Sequence, residues 1–487
     1  MNKLQNPGKS VFKVDPAFKH KLRGSSGGET LRYCYQCGAC SAVCPIAKFI
    51  GTYRPNKIIE LAKLGIRGMP QSNAFLFCSA CSLCTKGCPQ NVRVHEVMQA
   101  LKDLATSDPE VQAYLSGGFG EALEALSLGM PFPVIYSWIC LRPPDKPGGV
   151  FDDMIKEALD KALNASPAWK VTPCRKSERI AVIGSGPAGL TAAWELAKAG
   201  HELVVFESLP VPGGMLRTGL PDYRLPKDVV DAEINKLKTL GIKILTGISV
   251  DNASFENLIR NGGFAAVFVA TGACTSRKLR IEGEDLQGVV PALEFLKEYN
   301  ITGKATVGKN AVVIGGGNVA TDSAGAALRS GAESVKLFCL EDRKTMPAHE
   351  WEIDEIVSDG IGINPSWGPK AIKGDGVKVT GVEFVFCKSV TDKVGRFNPD
   401  YDEKKTQIVD ADTVITAIGQ APELSFLGNE IGIFRGVVQV DPYTMETNLP
   451  NVFAGGDAVK GTASLIEAIT TGKTAAGSII RYLENKV

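Results

Sequence analysis

Two regimes of apolar patterning divide the chain. From Ser177 onward, short β-branched runs such as Ile180–Ile183, Leu203–Phe206, Ala265–Ala270 and Ala311–Ile314 stop at glycine-bearing turns and lead into helical stretches. That alternation predicts α/β layers. One unit of strand, glycine loop and helix occurs twice, at Ile180–Ala197 and at Ala311–Leu328. Before Ser177 the pattern is less regular. Pro55–Gly65 fits a short helix, with proline in the first turn, apolar Ile58, Ile59, Leu61 and Ala62 on one face, and glycine as the C-cap. Glu121–Leu128 and Phe151–Leu163 read as helical, and Pro131, Pro133, Pro143, Pro144 and Pro147 between them read as a connector. Residues 1–30 are polar, basic and Gly/Ser-bearing, so they are expected to be a loose tail or an arm that orders on docking.

Composition narrows the function classes. Hydrophobic residues at 44% and charged residues at 22% are globular values, and a formal net charge of +1 gives no field favouring nucleic acid or a membrane surface. No apolar run approaches the ~18 residues of a membrane span. The first twenty residues lack the apolar core of a signal peptide, so a cytoplasmic location is expected. The 52 glycines exceed the needs of turns and point to glycine-rich cofactor loops. Eight of the 13 cysteines fall between Cys34 and Cys88; in a reducing compartment such a concentration means metal rather than disulfides.

Those eight form two runs, Cys34-x2-Cys37-x2-Cys40-x3-Cys44-Pro45 and Cys78-x2-Cys81-x2-Cys84-x3-Cys88-Pro89, with each cysteine of the second lying 44 positions after its counterpart. This is the spacing of two-cluster ferredoxins, in which three thiolates wrap one [4Fe–4S] cubane and the fourth crosses to the other. One cluster then takes Cys34, Cys37, Cys40 and Cys88, and the other takes Cys78, Cys81, Cys84 and Cys44. Structural zinc is the alternative, but it favours paired Cys-x2-Cys units from separate segments over two complete runs ending in proline. The long, helical gap between the runs and the Cys-Tyr-Gln-Cys-Gly opening resemble the α-helical ferredoxin domain of the heterodisulfide-reductase C subunit, over about residues 30–105. The isolated Cys140, Cys174, Cys274, Cys339 and Cys387 are expected to be small buried hydrophobes.

In the first glycine loop, Gly184 permits the tight turn, Gly186 lets main-chain N–H groups approach a pyrophosphate across Pro187 and Ala188, and Gly189 lets the helix pack on its strand. Glu207, at the end of the next strand, stands where a ribose hydroxyl would be bound. Near the C-terminus, Gly456 and Asp457 suit a flavin ribityl chain, and Ala463 and Ser464 open a helix toward the ring, so this site is assigned to FAD. In the second loop Gly315, Gly317 and Ala320 repeat the fingerprint, with alanine in the third place.

Further motifs carry a closer resemblance. Gly213-Gly214-Met215-Leu216, Gly219-Leu-Pro221, Arg224-Leu-Pro226, Ala270-Thr271-Gly272, Arg343 with Met346-Pro-Ala-His-Glu350, and Ala417-Ile-Gly419 look like the small subunit of bacterial glutamate synthase and the N-terminal part of dihydropyrimidine dehydrogenase, over about residues 115–487. The resemblance implies a flavoprotein whose nicotinamide domain is inserted into its FAD domain. By it, Gly213 to Leu216 and Ala270 to Gly272 line the FAD, while Gly317, Asn318, Val319, Arg343 and Gly419 line the nicotinamide cofactor. The chain departs from that family twice. Its cysteine runs are regular, so the partner need not be a glutamate synthase. Leu340 and Glu341 replace two arginines after the second strand of the nicotinamide domain, and an acid there binds ribose hydroxyls and repels a 2′-phosphate, favouring NAD(H) over NADP(H).

The expected architecture is multidomain: an α-helical ferredoxin domain with two [4Fe–4S] clusters over 1–110, a connector over 111–176, and a Rossmann-like α/β flavoprotein with two dinucleotide sites. Its FAD-binding parts fall at 177–300 and 419–487, around a NAD(P)H-binding part at 301–418. The expected activity is electron transfer between NAD(H), FAD, two [4Fe–4S] clusters and other redox subunits, possible ferredoxin included, with no nucleic acid or membrane partner. An electron-bifurcating NAD(P)H:ferredoxin oxidoreductase subunit and an electron-relay scaffold with a vestigial nicotinamide site are the alternatives. No side chain is singled out as catalytic, because hydride transfer asks for ring positioning more than for an acid or base.

Overall fold

The computed structural model describes residues 13–49, 53–67, 72–79, 81–107, 130–141, 150–165 and 178–485, with Leu123, Leu126 and Lys176. Most of Glu121–Leu128, the prolines Pro143, Pro144 and Pro147, and Cys174 lie outside these residues. The chain forms two compact units, Met1–Lys170 with Ser464–Glu467, and Val171–Ala463 with Ala468–Val487.

The first unit is almost wholly helical. Helix Pro55–Leu64 forms where its pattern predicts it, and Gly65 closes it in the left-handed region at φ +72°. A side chain on Gly65 would stand 2.6 Å from the Asp15 carbonyl, so only glycine lets the N-terminal segment approach. That segment is the first correction. From Lys13 the chain is folded rather than trailing: Lys13–Val14 pairs antiparallel with Ile66–Arg67, and Asp15 Oδ1 accepts from the N–H groups of Ala17 and Phe18 at 2.9 and 3.2 Å to cap helix Pro16–Arg23. Leu22 and Leu31 are fully buried, and their burial holds the segment down. Helices Val94–Ser107, Pro133–Leu141 and Val150–Asn164 follow; Tyr136 donates to the Phe77 carbonyl at 2.7 Å.

The second unit holds two five-stranded parallel sheets. In the first, the spatial order is Val452–Ala454, Phe264–Val269, Arg179–Ile183, Glu202–Glu207, Lys243–Thr246. In the second it is Gly362–Pro365, Ser334–Cys339, Asn310–Ile314, Thr413–Thr416, Val289–Pro291. The second sheet therefore forms from chain that lies between two adjacent strands of the first. Each sheet reverses strand order beside its glycine loop, which is where α/β sheets bind ligands. A three-stranded antiparallel sheet, Trp367–Gly374, Val379–Thr391 and Phe397–Asp410, packs on the second sheet through Phe384, whose ring stacks on Phe338 at 4.0 Å. The sequence pattern does not predict it, because Val382-Glu-Phe384-Val-Phe386 has one polar position and no clean alternation.

The two sheets meet along a charged, buried seam. Arg224, in the turn between helices Met215–Thr218 and Lys227–Lys238, pairs with Asp322 of helix Asn318–Ser330 and with Glu355 of helix Glu350–Ser358, the latter at 3.0 Å. Its guanidinium also lies over Trp351, 5.0 Å from the ring centre. Tyr223 donates to the Asp322 carbonyl at 3.1 Å, and Asn300 donates to the Thr218 carbonyl at 2.8 Å. Burial opposes the Arg224 charge, but Asp322, Glu352 and Glu355 more than offset it. Arg224 thus faces three acids, with Lys227 adding a second positive charge toward Asp322. Burial first, and then the Asp322 charge, push Glu352 up to about 8, and its Oε2 has no hydrogen-bond partner.

Two outcomes follow from this packing. Phe384→Ala should cost about 3–5 kcal/mol, read as a fall in the thermal midpoint of the flavoprotein unit. Glu352, facing Asp322, Arg224, Glu355 and the His349 cap, holds its proton in the folded chain at a pH where the unfolded chain has lost it. Its stabilisation is complete below the unfolded carboxylate range and is lost as pH rises toward 8, at up to about 1.4 kcal/mol per pH unit. Glu352→Gln should flatten that slope in denaturant titrations between pH 6 and 9, and a slope equal to wild type would exclude Glu352 as its source.

Candidate functional site

Both dinucleotide loops are built by the same main-chain contacts. Gly184 leaves strand Arg179–Ile183 at φ +102°, and a side chain there would meet the Ala270 carbonyl at 2.4 Å. Gly315 leaves strand Asn310–Ile314 at φ +141°, and a side chain there would meet the Ala417 carbonyl at 2.3 Å. The turns are tied to their neighbouring strands alike: Gly184 N to Phe206 O and Ala270 N to Ile183 O at 2.8 Å, Gly315 N to Phe338 O and Ala417 N to Ile314 O at 2.8 Å. Gly186 and Gly317 are the N-caps of helices Pro187–Lys198 and Asn318–Ser330, and nothing lies within 4 Å of where their side chains would be. Each is an open cradle before a helix N-terminus whose free N–H groups and dipole attract a phosphate. At the third position Gly189 is obligatory, since a side chain would fall 2.0 Å from the Gly184 carbonyl, whereas Ala320 is accommodated and fully buried.

Around the first cradle the structure gathers most of the residues expected for FAD. Glu207 ends its strand with its carboxylate accepting from Ser185 N at 2.9 Å, Ser185 Oγ at 2.5 Å and Leu209 N at 2.8 Å, so the acid also ties the loop together. Gly213 N donates to Ser185 Oγ at 3.1 Å, and a side chain on Gly214 would meet Gly186 Cα at 2.8 Å. Met215 and Leu216 begin the next helix. Thr271, between Ala270 and the left-handed Gly272, has a buried hydroxyl with no partner. Gly456 N donates to Thr471 Oγ1 at 2.8 Å, and a side chain on it would meet Ala188 Cβ at 3.0 Å, which brings Asp457 beside the first loop. Ser464, after Ala463, is turned to its own helix, bonding Glu467 through both N–H and hydroxyl. The open cradle and the orphaned Thr271 hydroxyl fit a bound dinucleotide.

Around the second cradle, Asn318 and Val319 form the first helical turn. Glu341 reaches back over the loop: its Oε2 lies 2.8 Å from where a Gly316 side chain would start. Arg343 faces elsewhere, with its fork on Glu350 at 2.8 and 3.0 Å and on Asp354 at 3.2 Å. Gly419, at φ +105°, accepts from Arg277 N at 3.0 Å.

In the first unit the cysteines gather in the two crossed sets. Cys40 feels the charges of Cys34, Cys37 and Cys88; Cys44 feels those of Cys78 and Cys81; Cys84 feels those of Cys78, Cys81 and Cys44 and, last, that of Cys40 from the neighbouring set. Burial first, and then the neighbouring thiols, push Cys40 up to about 11 and Cys44 and Cys84 up to about 12. Such thiols ionise only against a positive centre, and four soft donors without carboxylate suit iron–sulfur. Among the described residues no three His, Cys, Asp or Glu side chains converge on a single ion. Cys34 accepts from Gln36 Nε2 and Cys88 from Val92 N, both at 3.3 Å. Sequence reasoning missed Tyr53, which is fully buried against Cys44, Cys78 and Cys84 and hydrogen-bonds Cys78; it lies in the gap between the motifs, where no spacing marks it. Of the isolated cysteines, Cys339 and Cys387 are buried as expected, but Cys274 is exposed, because it follows the loop Ala270–Gly272 out of the core.

No described helix is long and apolar enough to cross a membrane. The β subunit of the NADP(+)-dependent formate dehydrogenase of Moorella thermoacetica is 40% identical over 321 residues, which are 64% of this chain and 45% of that subunit. The β subunit of the NADPH-Fe(3+) oxidoreductase of Geobacter sulfurreducens is 30% identical over an alignment of 492 positions, gaps included, that covers 92% of this chain and 70% of that one. The glutamate synthase (NADPH) small chain of Azospirillum brasilense is 36% identical over 334 residues, 65% and 69% of the two chains. This chain thus spans less than half the length of the formate dehydrogenase subunit. Among solved structures, FprA of Mycobacterium tuberculosis in complex with NADPH superposes with a TM-score of 0.55 at 22% identity, over 64% of this chain and 85% of that chain, and shares the fold. Residues 30–92 match the 4Fe-4S dicluster domain and residues 178–472 match pyridine nucleotide-disulphide oxidoreductase, more than half of the chain. The chain belongs to the pyridine nucleotide-disulphide oxidoreductase family and carries a 4Fe-4S dicluster domain at its N-terminal end.

Proposed function

We propose that this chain is the NAD(H)-coupled electron-transfer subunit of a larger oxidoreductase, exchanging electrons between a nicotinamide cofactor, FAD, two [4Fe–4S] clusters and a partner redox subunit. The observation that carries the reading is the pair of open cradles at Gly186 and Gly317 in a chain that also gathers eight thiols into two crossed sets. A bound flavin exchanges hydride with a nicotinamide and single electrons with iron–sulfur clusters. The chain's own part is to bind and orient: helix N-termini and bare glycines take the pyrophosphates, Cys34, Cys37, Cys40 and Cys88 hold one cluster, and Cys44, Cys78, Cys81 and Cys84 hold the other. A partner is supported by the names of the similar β subunits, which come from a formate dehydrogenase and an Fe(3+) oxidoreductase. Those names specify NADP(+) or NADPH. The preference for NAD(H) rests instead on this chain's Glu341 above the second loop and on Arg343, whose fork is committed to Glu350 and Asp354. A carboxylate there accepts ribose hydroxyls and repels a 2′-phosphate.

The test is an anaerobic spectrum on adding NADH and then NADPH. NADH should bleach the flavin quickly, with the broad cluster absorbance falling after it. Bleaching by NADPH alone would overturn the role given to Glu341, and bleaching by neither would leave an electron-relay scaffold. Glu341→Gln should raise the NADPH rate relative to NADH. Cys81→Ser should lose one cluster's iron and block onward transfer while flavin reduction by NADH persists; loss of that reduction in a folded, FAD-loaded variant would contradict the order of transfer.

A further inference from the structure

We propose that Arg224 is the positioning residue that sets the nicotinamide-binding half of the flavoprotein unit on its flavin-binding half, and so fixes the approach of the two rings. The inference rests on the two-site reading above. Arg224 lies eight residues beyond Leu216, on the turn that follows the flavin-lining glycines. Asp322 lies one helical turn beyond Asn318, the first residue after the second cradle. The pair therefore joins the segment behind one cofactor site directly to the helix that begins at the other. Both side chains are 7% exposed, so water does not compete for the contact. Glu355 and Trp351 bring the following helix, Glu350–Ser358, onto the same guanidinium. A planar fork with acids on two helices fixes angle as well as distance, which a single point charge does not.

A second observation, independent of charge, points to the same seam. A side chain on Gly325, inside helix Asn318–Ser330, would stand 2.8 Å from the Tyr223 hydroxyl. The Tyr223 ring cannot swing away freely: Arg329 lies over it at 4.1 Å, Tyr299 meets it edge-on at 6.5 Å, and its hydroxyl is bonded to the Asp322 carbonyl. The helix thus carries a glycine where the neighbouring half of the unit touches its backbone. Alanine is the better residue for a helix interior, so the absence of a methyl group here serves the close approach and not the helix. Hydride passes only between rings held a few tenths of an ångström from the right geometry, and a misplacement of about 1 Å can cost about 100-fold in rate.

The test compares full-length, FAD-loaded wild type with Arg224→Leu, Arg224→Lys and Gly325→Ala. Anaerobic stopped-flow with NADH and with NADPH reads the limiting rate of flavin reduction and the nicotinamide half-saturation separately. The limiting rate should fall about 10- to 100-fold in Arg224→Leu and Gly325→Ala, with half-saturation and FAD content nearly unchanged, and Arg224→Lys should recover part of it. The long-wavelength charge-transfer absorbance of reduced flavin with oxidised nicotinamide, which reports ring stacking, should weaken in parallel. A normal limiting rate in Arg224→Leu or in Gly325→Ala, or a change confined to half-saturation, would overturn the proposal. Should Arg224→Leu not fold, Gly325→Ala decides, because its helix propensity is improved. Should neither nicotinamide reduce the wild type, the two-site reading itself fails, and hydrogen exchange then decides the seam. Helices Asn318–Ser330 and Glu350–Ser358 should exchange faster in Gly325→Ala while strands Arg179–Ile183 and Glu202–Glu207 do not, and unchanged exchange would sink it.

Discussion

Two main-chain carbonyls, those of Ala270 and Ala417, stand where a side chain on Gly184 or Gly315 would have to go. Everything in the flavoprotein unit that touches a dinucleotide depends on that approach. It lets each central strand turn directly into a helix, aims the helix N-terminus at the crevice, and leaves the second glycine of each loop bare toward it. The same turn is then reinforced by different means at the two sites. At the first, Ser185 and Glu207 lock the loop through its own hydrogen bonds. At the second, Gly316 takes the place of the serine, and Glu341 leans over it. One loop is braced by its own side-chain hydrogen bonds, and over the other lies a carboxylate from the next strand's end.

In the ferredoxin unit, burial first and neighbouring thiols second hold Cys40, Cys44 and Cys84 from ionising. The main chain turns an N–H group to sulfur as well, as at Val92 to Cys88. The two sets are not equivalent. Cys37 is exposed beside the exposed Tyr35, while the other set surrounds the fully buried Tyr53. Solvent exposure and hydrogen bonds to sulfur both shift cluster potentials.

Much of this was legible in the chain because it is written in local terms. The glycine spacings, the cysteine runs and the Pro55–Gly65 helix each depend on a few neighbouring residues, and each stands where its pattern places it. The seam was not legible. Arg224 and Asp322 are 98 positions apart, and nothing in either neighbourhood marks the other. Residues 13–30 looked loose because their composition is polar, yet two leucines and one capping aspartate are enough to hold them. Cys274 looked like its buried counterparts, since burial of a lone cysteine is decided by the path of the loop around it.

The nesting of the two sheets bears on how the chain comes off the ribosome. The first sheet has four strands once Val269 has emerged, but its fifth, Val452–Ala454, arrives only after the whole of the second sheet and its antiparallel annex. Throughout that interval strand Phe264–Val269 presents an unpaired, strongly apolar edge, the kind of template on which wrong strands pair. The inserted segment, by contrast, holds all its own strands and can close as it emerges. The nascent protein therefore completes its later-encoded sheet before its earlier one, and its exposure to misassembly is set by translation time across the insert.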